Sequence, residues 1–528
     1  MENNDLFVIL AMIIYFIVIL AVGFSYAKRS NSSTDEYFIG GRKVGPWFTA
    51  LSAEASDMSG YLLMGIPGLA YFYGASEALW TCIGLAIGTY LNWLFVAKRL
   101  RRYSEVTGSI TLPAYFSDRF HDTKNVLSTV AALIILLFFC VYTGSCFVTC
   151  GKLFHTLFDI DYATMMIVGA VIVFAYTLVG GYLSVVATDF IQGCLMFFAL
   201  AVVLIGSLAS VGGVDVTVQF LQNIPGFLHG TARTTPMLDA QTGKQLADGN
   251  TPLFGEPTEF GVITIISTLA WGLGYFGMPQ VLVRFLSIRS AEEVRQSRII
   301  AIVWVIISMI CALCIGFIGR AMLPVYFGTN AAAENIFVVI AQLILPAFMC
   351  GVVVSGILAA SMSSASSYLL ITGSSVAENI YRGVFKRDAT DREVMIVSRI
   401  TLLIVLVVGI LIAIDENSII FQVVSYAWAG LGASFGPLML CSLYWRRMNK
   451  QGALAGMLGG AITVVVWHNL IKPLGGVFGI YELLPAFIIS LACIFIVSKL
   501  TAEPDASITD EFDRYMDERS DAAENATS

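Results

Sequence analysis

The 528 residues are 57% hydrophobic and 13% charged, with a mean hydropathy of +0.80, a balance that excludes an ordinary soluble domain and marks an integral membrane protein. The net charge of −7 comes largely from the C-terminal stretch, and the absence of a basic cluster argues against nucleic-acid binding. All ten cysteines fall in or beside apolar runs, which supports neither a disulfide framework nor a zinc site.

The first apolar run, residues 6–26, is too long for the core of a signal peptide. Asn3, Asn4 and Asp5 precede it and Lys28 and Arg29 follow it, so it reads as a retained span with the N-terminus outside. Further runs follow at 44–73, 79–96, 126–158, 162–179, 182–211, 260–286, 299–323, 346–377, 395–414, 419–445, 453–471 and 481–497. This makes thirteen spans and puts the C-terminus in the cytoplasm of a multi-pass plasma-membrane protein. Charge supports the count. Predicted inner segments hold most of the lysines and arginines, among them Arg42, Lys98, Arg101, Arg119, Arg284, Arg382 and Arg446, whereas outer segments offer only Lys152, Arg233, Lys244, Arg320 and Lys472.

Residues 1–43 thus form an extra N-terminal helix and the first cytoplasmic loop, and 44–445 a transport core. Two C-terminal helices occupy 446–500, and 501–528 is an acidic cytoplasmic tail expected to stay solvated and disordered. Within the core, 44–211 and 260–445 are groups of five spans, each opening with an interrupted helix. An odd number of spans inverts the second copy relative to the first, so that the two interruptions meet near the bilayer middle. The external loop between them, 212–259, is polar and rich in turn residues, and reads either as a surface connector or as a lid.

The first interruption is SAEASDMSG, residues 52–60, where Glu54, Ser56, Asp57, Ser59 and Gly60 fall inside an apolar run; such a cluster is tolerated only around a cavity. The second is WGLGYFGMP, residues 271–279, with three glycines and a proline. A broken helix frees backbone carbonyls for a cation, and Ala55 and Met58 flank the first break. ILAASMSSASSYLL, residues 357–370, offers hydroxyls: Ala360, Ser363 and Ser364 stand at i, i+3 and i+4 on one face. Serines in membrane helices also bond back to their own carbonyls or permit close packing, so spacing leaves both readings open. Asp57 is a direct ion ligand, a carboxylate that orders the broken backbone, or a residue paired with an arginine. Glu54 lies three residues earlier on the same helical face, and Asp189 reads as a helix-terminus residue. Trp271 and Tyr275, at i, i+4, form either ordinary packing or the wall of a solute pocket.

These segments, with YFIGGRKVGPWFTAL before the first break and SYAWAGLGASFGPLML near the end of the core, resemble the solute:sodium symporter family, nearest its sodium/proline members, over roughly residues 35–500. The resemblance implies an all-α fold of the leucine-transporter type, with an inverted 5+5 repeat, one helix before it and two after. It implies a sodium site of the Ala55, Met58 and Ala360 carbonyls and the Ser363 and Ser364 hydroxyls. It further associates Ser59, Gly60, Tyr142, Trp271, Tyr275 and Pro279 with the solute, and Arg42, Asp57 and Asp189 with sodium coupling. Ser364 stands where many relatives carry threonine, Tyr61 where tryptophan is common, Met278 where glutamine is frequent and Glu54 where some have a small residue.

The implied function is sodium-coupled import of proline by alternating access, with sodium the co-transported ion and the bilayer the environment. Another small amino acid or a betaine-like osmolyte is the alternative cargo. An enzyme would need a nucleophile with its base, a metal cluster or a nucleotide loop, and none is visible; a sensor would need an output domain larger than the tail. No obligate protein partner is evident.

Overall fold

A computed structural model describes residues 3–30, 33–249 and 251–516. Among these the chain is mostly helical, and its strands are four two-residue pieces within 232–259. The helices used below are α1 (Asn3–Ser30), α2 (Pro46–Asp57), α3 (Tyr61–Tyr73), α4 (Ala75–Thr107), α5 (Leu112–Arg119), α6 (Val126–Phe158) and α7 (Tyr162–Val211). After the external loop come α8 (Val262–Gly277), α9 (Pro279–Ser287), α10 (Val294–Met322), α11 (Ala347–Phe385), α12 (Asp391–Ile412) and α13 (Ile420–Tyr444). The chain ends with α14 (Lys450–Leu474), α15 (Leu483–Leu500) and α16 (Ala506–Met516). Ten of the described helices are long and apolar enough to cross a membrane. An eleventh results when α8 and α9, bent by 42°, are one span, and α3 and Tyr162–Leu178 are shorter apolar helices. The unbroken appearance of α7 hides a break at Gly181, whose φ of 62° and ψ of −174° are open to glycine and strained for other residues.

Both interruptions follow from local chemistry. Proline at the first turn suits a helix start, because its missing N–H has no intrahelical partner there, and Pro46 and Pro279 open α2 and α9 in this way. Between α2 and α3 the backbone leaves the helix at Met58, whose ψ is 75°. The second half of α8, Ala270–Gly277, tightens into a 3₁₀ turn, and the backbone becomes extended at Met278 before α9. The glycines of that turn are packing devices. Lipid tails leave no hydrophobic drive between membrane helices, so close backbone contact supplies the cohesion. A Cβ on Gly277 would come within 2.6 Å of the Gly436 nitrogen and 2.7 Å of the Leu431 oxygen, both on α13.

The most enclosed spans are α11 and α13; α11 packs against α1, α6 and α7, while α10 braces α2 and α3. Apolar side chains such as Ile17 and Ile205 face outward, as a hydrocarbon environment permits.

The external loop is docked on the helices. Trp80 donates to the Gly230 carbonyl at 2.7 Å, and Arg320, predicted as an outer-surface charge, is buried and donates to Gln245 of the loop at 2.7 Å. The tail departs from the expectation of disorder over its first half. Residues 506–516 form α16, which buries Ile508 and Phe512, places the Tyr515 ring 4.6 Å from Tyr103, and pairs Asp513 with Arg446 and Glu511 with His121. Its apolar residues at helical spacing outweigh the acidic composition that suggested a solvated segment. The tail acids from Asp517 onward lie outside the described residues.

Candidate functional site

The breaks meet α11 and α6 at a fully buried polar centre. Ser363 of α11 donates to the Ala55 carbonyl at 2.7 Å and lies 3.1 Å from the Ala360 carbonyl, so three of the five anticipated sodium ligands are in contact. The neighbouring Ser364 hydroxyl is buried and has no protein partner. Met58, at the end of the same turn as Ala55, sits where the backbone leaves the helix. Two carbonyls from different helices, joined by one hydroxyl and flanked by an unpaired one, form an oxygen set suited to a small hard cation.

Asp57 accepts from the Gln280 amide of α9 at 3.1 Å through one oxygen, and its other oxygen is unpartnered. Among the alternatives left open for it, the arginine pairing belongs instead to Asp189. This residue is fully buried inside α7, not at a helix end. Its Oδ2 accepts from Arg284 at 2.9 Å and from Ser52 at 2.6 Å, and Arg284 also donates to Ser367 of α11 at 2.6 Å and to the Gln280 carbonyl at 3.0 Å. Arg284 is therefore a buried residue and not a loop charge. It is 1% exposed and ties both broken helices to α7 and α11. Its signal was present in the sequence, since a charge five residues past Pro279 in an apolar run needs a buried partner.

Trp271 and Tyr275 both meet the Trp428 ring, at 6.0 and 5.0 Å, but not from an α-helical turn. Their spacing of four puts side chains together on an α-helix, whereas the 3₁₀ turn they occupy advances three residues per turn. Trp271 stacks on Tyr481 at 5.2 Å and lies 5.0 Å from Phe421, whereas Tyr275 meets the Trp428 ring edge-on at 5.0 Å and lies beside Asp57. Trp428 joins the two by donating to the Trp271 carbonyl at 2.8 Å. On the opposite side Tyr142 packs on Tyr368 at 4.4 Å and reaches the Asp57 carbonyl at 3.5 Å, and the Ser59 hydroxyl is buried and unpartnered. Gly60 lies against Thr149 of α6, where a Cβ would come within 2.7 Å of the threonine methyl.

A cavity of about 400 Å³ runs in from the external-loop side, between Tyr73, Arg233, Phe421 and Tyr481, and ends on Trp271. Ser59, Gly60, Tyr142, Tyr275 and Pro279 are buried behind that floor. At the other end the broken helices are strapped together. Val44 and Ile288 form a parallel bridge, and Arg42 donates to the carbonyls of Ser104, Ser109 and Leu286 at 2.7–3.1 Å. Arg42 has a φ of 54°, a strained value for a non-glycine residue, held by this ring of acceptors.

A sequence model described as the sodium:solute symporter family matches residues 37–460. The chain belongs to that family. Sodium/proline symporters of Staphylococcus aureus strains JH9 and NCTC 8325 / PS 47 are each 40% identical to it over 511 residues, covering 96% of this symporter and 94% of theirs. Its fold is shared with a substrate-bound, outward-open Na⁺-coupled sialic acid symporter, with a TM-score of 0.75 at 20% identity over 95% of this chain and 100% of that one. A nucleobase-cation-symport-1 family transporter in a closed conformation matches with a TM-score of 0.51 at 13% identity over 91% and 98%. Residues that sequence reasoning had not singled out in this symporter, Gln280, Arg284, Ser367, Tyr368 and Trp428, all bind or brace the site's anticipated members.

Proposed function

We propose that this symporter imports proline together with sodium by alternating access, with sodium held by the Ala55, Met58 and Ala360 carbonyls and the Ser363 and Ser364 hydroxyls. The observation that carries the reading is the Ser363 hydroxyl bridging the Ala55 and Ala360 carbonyls beside the unpaired Ser364 hydroxyl. Without sodium the hydroxyl hydrogen satisfies a carbonyl; with sodium, that hydroxyl turns its lone pairs inward and the bridge between α2 and α11 passes through the ion. Sodium binding then fixes the first break in the shape that presents the Ser59 and Gly60 region to the solute carboxylate, with the Trp271 and Tyr275 rings beside its apolar ring.

In this reading thirteen spans form an inverted 5+5 core, with the N-terminus outside and the C-terminus in the cytoplasm; the break at Gly181 and the bent α8–α9 pair support it. The cavity ending on Trp271 is the outer vestibule, and the Arg42 strap is the closed inner gate. Identity to the sodium/proline symporters favours proline over another small amino acid or a betaine-like osmolyte. Replacing Ser363 or Ser364 by alanine removes one of few oxygens and raises the sodium concentration for half-maximal proline uptake by about tenfold, equivalent to about 1.4 kcal/mol; Ser364→Thr keeps the hydroxyl and stays near wild type. Normal sodium dependence in both alanine variants would refute the site, and competition of labelled proline uptake by a panel of amino acids and betaines tests the cargo.

A further inference from the structure

The first half of the acidic tail is folded against the strapped end of the molecule. A helix of 11 residues is marginal on its own in water, so α16 keeps its shape because it is docked. A non-helical link, residues 501–505, joins it to α15. Ile508 and Phe512 are buried, the Tyr515 ring meets Tyr103 of α4 edge-on at 4.6 Å, and Arg99 of α4 reaches the Met516 sulfur at 3.0 Å. At the end of α5, Arg119 is fully buried and donates to the Ser442 carbonyl of α13 at 3.0 Å, while its two terminal nitrogens have no hydrogen-bond partner. The guanidinium lies instead 5.4 Å from the Tyr103 ring, 5.0 Å from Phe120 and 4.9 Å from Phe512. A buried cation with unpartnered N–H groups relies on such ring faces, and α16 supplies one of the three.

The residues that α16 grips adjoin those that hold the strap. Tyr103 precedes Ser104, whose hydroxyl and carbonyl accept from Arg42 at 2.9 and 2.8 Å. Arg119 follows Asp118, which accepts from the Ser109 hydroxyl, and the Ser109 carbonyl accepts from Arg42 at 2.7 Å. Arg101, on the same turn of α4 as Tyr103, donates to the Ile288 carbonyl at 2.6 Å, just past the end of α9. Parting the start of α2 from the end of α9 breaks the Arg42–Leu286 and Arg101–Ile288 bonds, and α16 holds in place the segment that carries Arg101 and two of the Arg42 acceptors. We propose that α16 is an autoinhibitory latch: docked, it keeps the strap closed and limits turnover, and released, it lets α2 and α9 part. This rests on reading the Arg42 strap as the inner gate and adds a control to it. The outer edge of α16 is held by the exposed Asp513–Arg446 pair at 2.8 Å and the partly exposed Glu511–His121 pair at 3.1 Å. Such pairs contribute little in water, so the aromatic side, Phe512 and Tyr515, carries the hold.

The test moves the latch in both directions in the full-length protein. Ser287 is fully buried beside the strap, where its carbonyl accepts from the Val44 N–H at 3.3 Å, so Ser287→Cys in a cysteine-free background reports opening by its reaction with N-ethylmaleimide. Adding Phe512→Ala and Tyr515→Ala should speed this reaction about fivefold, and efflux of preloaded proline from proteoliposomes about threefold, as the open population grows. Arg446→Cys with Asp513→Cys, again in a cysteine-free background, replaces the exposed ion pair by two thiols. Joining them with a short bifunctional maleimide fixes the latch and should lower sodium-driven proline uptake about fivefold relative to the unlinked protein. Unchanged Ser287→Cys labelling in a folded aromatic variant, or full uptake after linking, overturns the latch, and the linked pair decides if the aromatic variant does not fold. Failure of the sodium–proline reading looks different, because labelling needs neither solute: it would still be faster in the aromatic variant while proline uptake was absent from every protein.

Discussion

At the scale of single residues, Arg284 and Asp189 show how a buried pair acts as a joint. Removing one partner strands the other, at a cost of about 3–5 kcal/mol, whereas removing both leaves a site that smaller polar groups can fill. Arg284→Gln should therefore sharply lower the thermal stability of the detergent-purified protein, and Arg284→Gln combined with Asp189→Asn should recover most of it; equal loss in the double variant would show that the pair does not act as a unit. Trp271→Ala and Tyr275→Ala should weaken proline binding, with Trp271→Phe retaining part of it through the remaining ring. Only sodium affinity measured without proline separates the two roles, because the sites are thermodynamically coupled. Unchanged proline affinity in both alanine variants would return the two rings to packing. Sequence spacing placed Ser363 and Ser364 one turn beyond Ala360, as they stand, because α11 is a regular helix there. It did not foresee that Trp271 and Tyr275 stand on a 3₁₀ turn, into which the glycines between them let the backbone wind. Arg284 was misplaced for another reason: loop charges and buried charges look alike when a span boundary is drawn through them.

At the scale of elements, the break between α2 and α3 depends on its fit against α6. Gly60→Ala would drive a methyl group into Thr149, with the threonine Cβ only 2.9 Å away, and should abolish uptake. Thr149→Ala removes the hydroxyl and the methyl, so the double variant should regain partial uptake, and no recovery would mean that the glycine serves backbone freedom alone. The alternation of apolar runs made the helices legible, and proline and glycine made both breaks legible. The docking of α16 was not, since acidic composition masked Ile508 and Phe512 and the acceptor surface, around Tyr103, Arg119 and Arg446, is assembled from distant segments. The Asp513 carboxyl is held below its usual range by hydrogen bonds from Arg446, so this contact persists at neutral pH and is lost only as pH falls through that lowered value. Phe512→Ala should free the helix and speed tryptic cleavage at Arg514 at neutral pH; an unchanged cleavage rate would show that the aromatic contact does not hold it.

For the whole molecule, orientation and coupling are the tests. Asn449, on a predicted inner loop, is a buried N-cap that accepts from Gly452 N at 2.9 Å, so Arg387, exposed on another predicted inner loop, is the better reporter. Gln241→Cys and Arg387→Cys in a cysteine-free background should label from opposite faces of the membrane, and labelling from the same face would break the thirteen-span arrangement. Energetically, one sodium moving inward across about 100 mV contributes about 2.3 kcal/mol, and a tenfold sodium gradient adds about 1.4 kcal/mol. Together these sustain an accumulation of several hundredfold for one ion per proline. The most direct measurement is uptake of labelled proline into proteoliposomes containing only this protein, with an inward sodium gradient and a membrane potential imposed separately and together. The account predicts concentrative uptake that needs sodium, grows when both forces act, and collapses when a sodium ionophore dissipates the gradient. Equal uptake without sodium, or proline that never exceeds its external concentration with both forces applied, would contradict it.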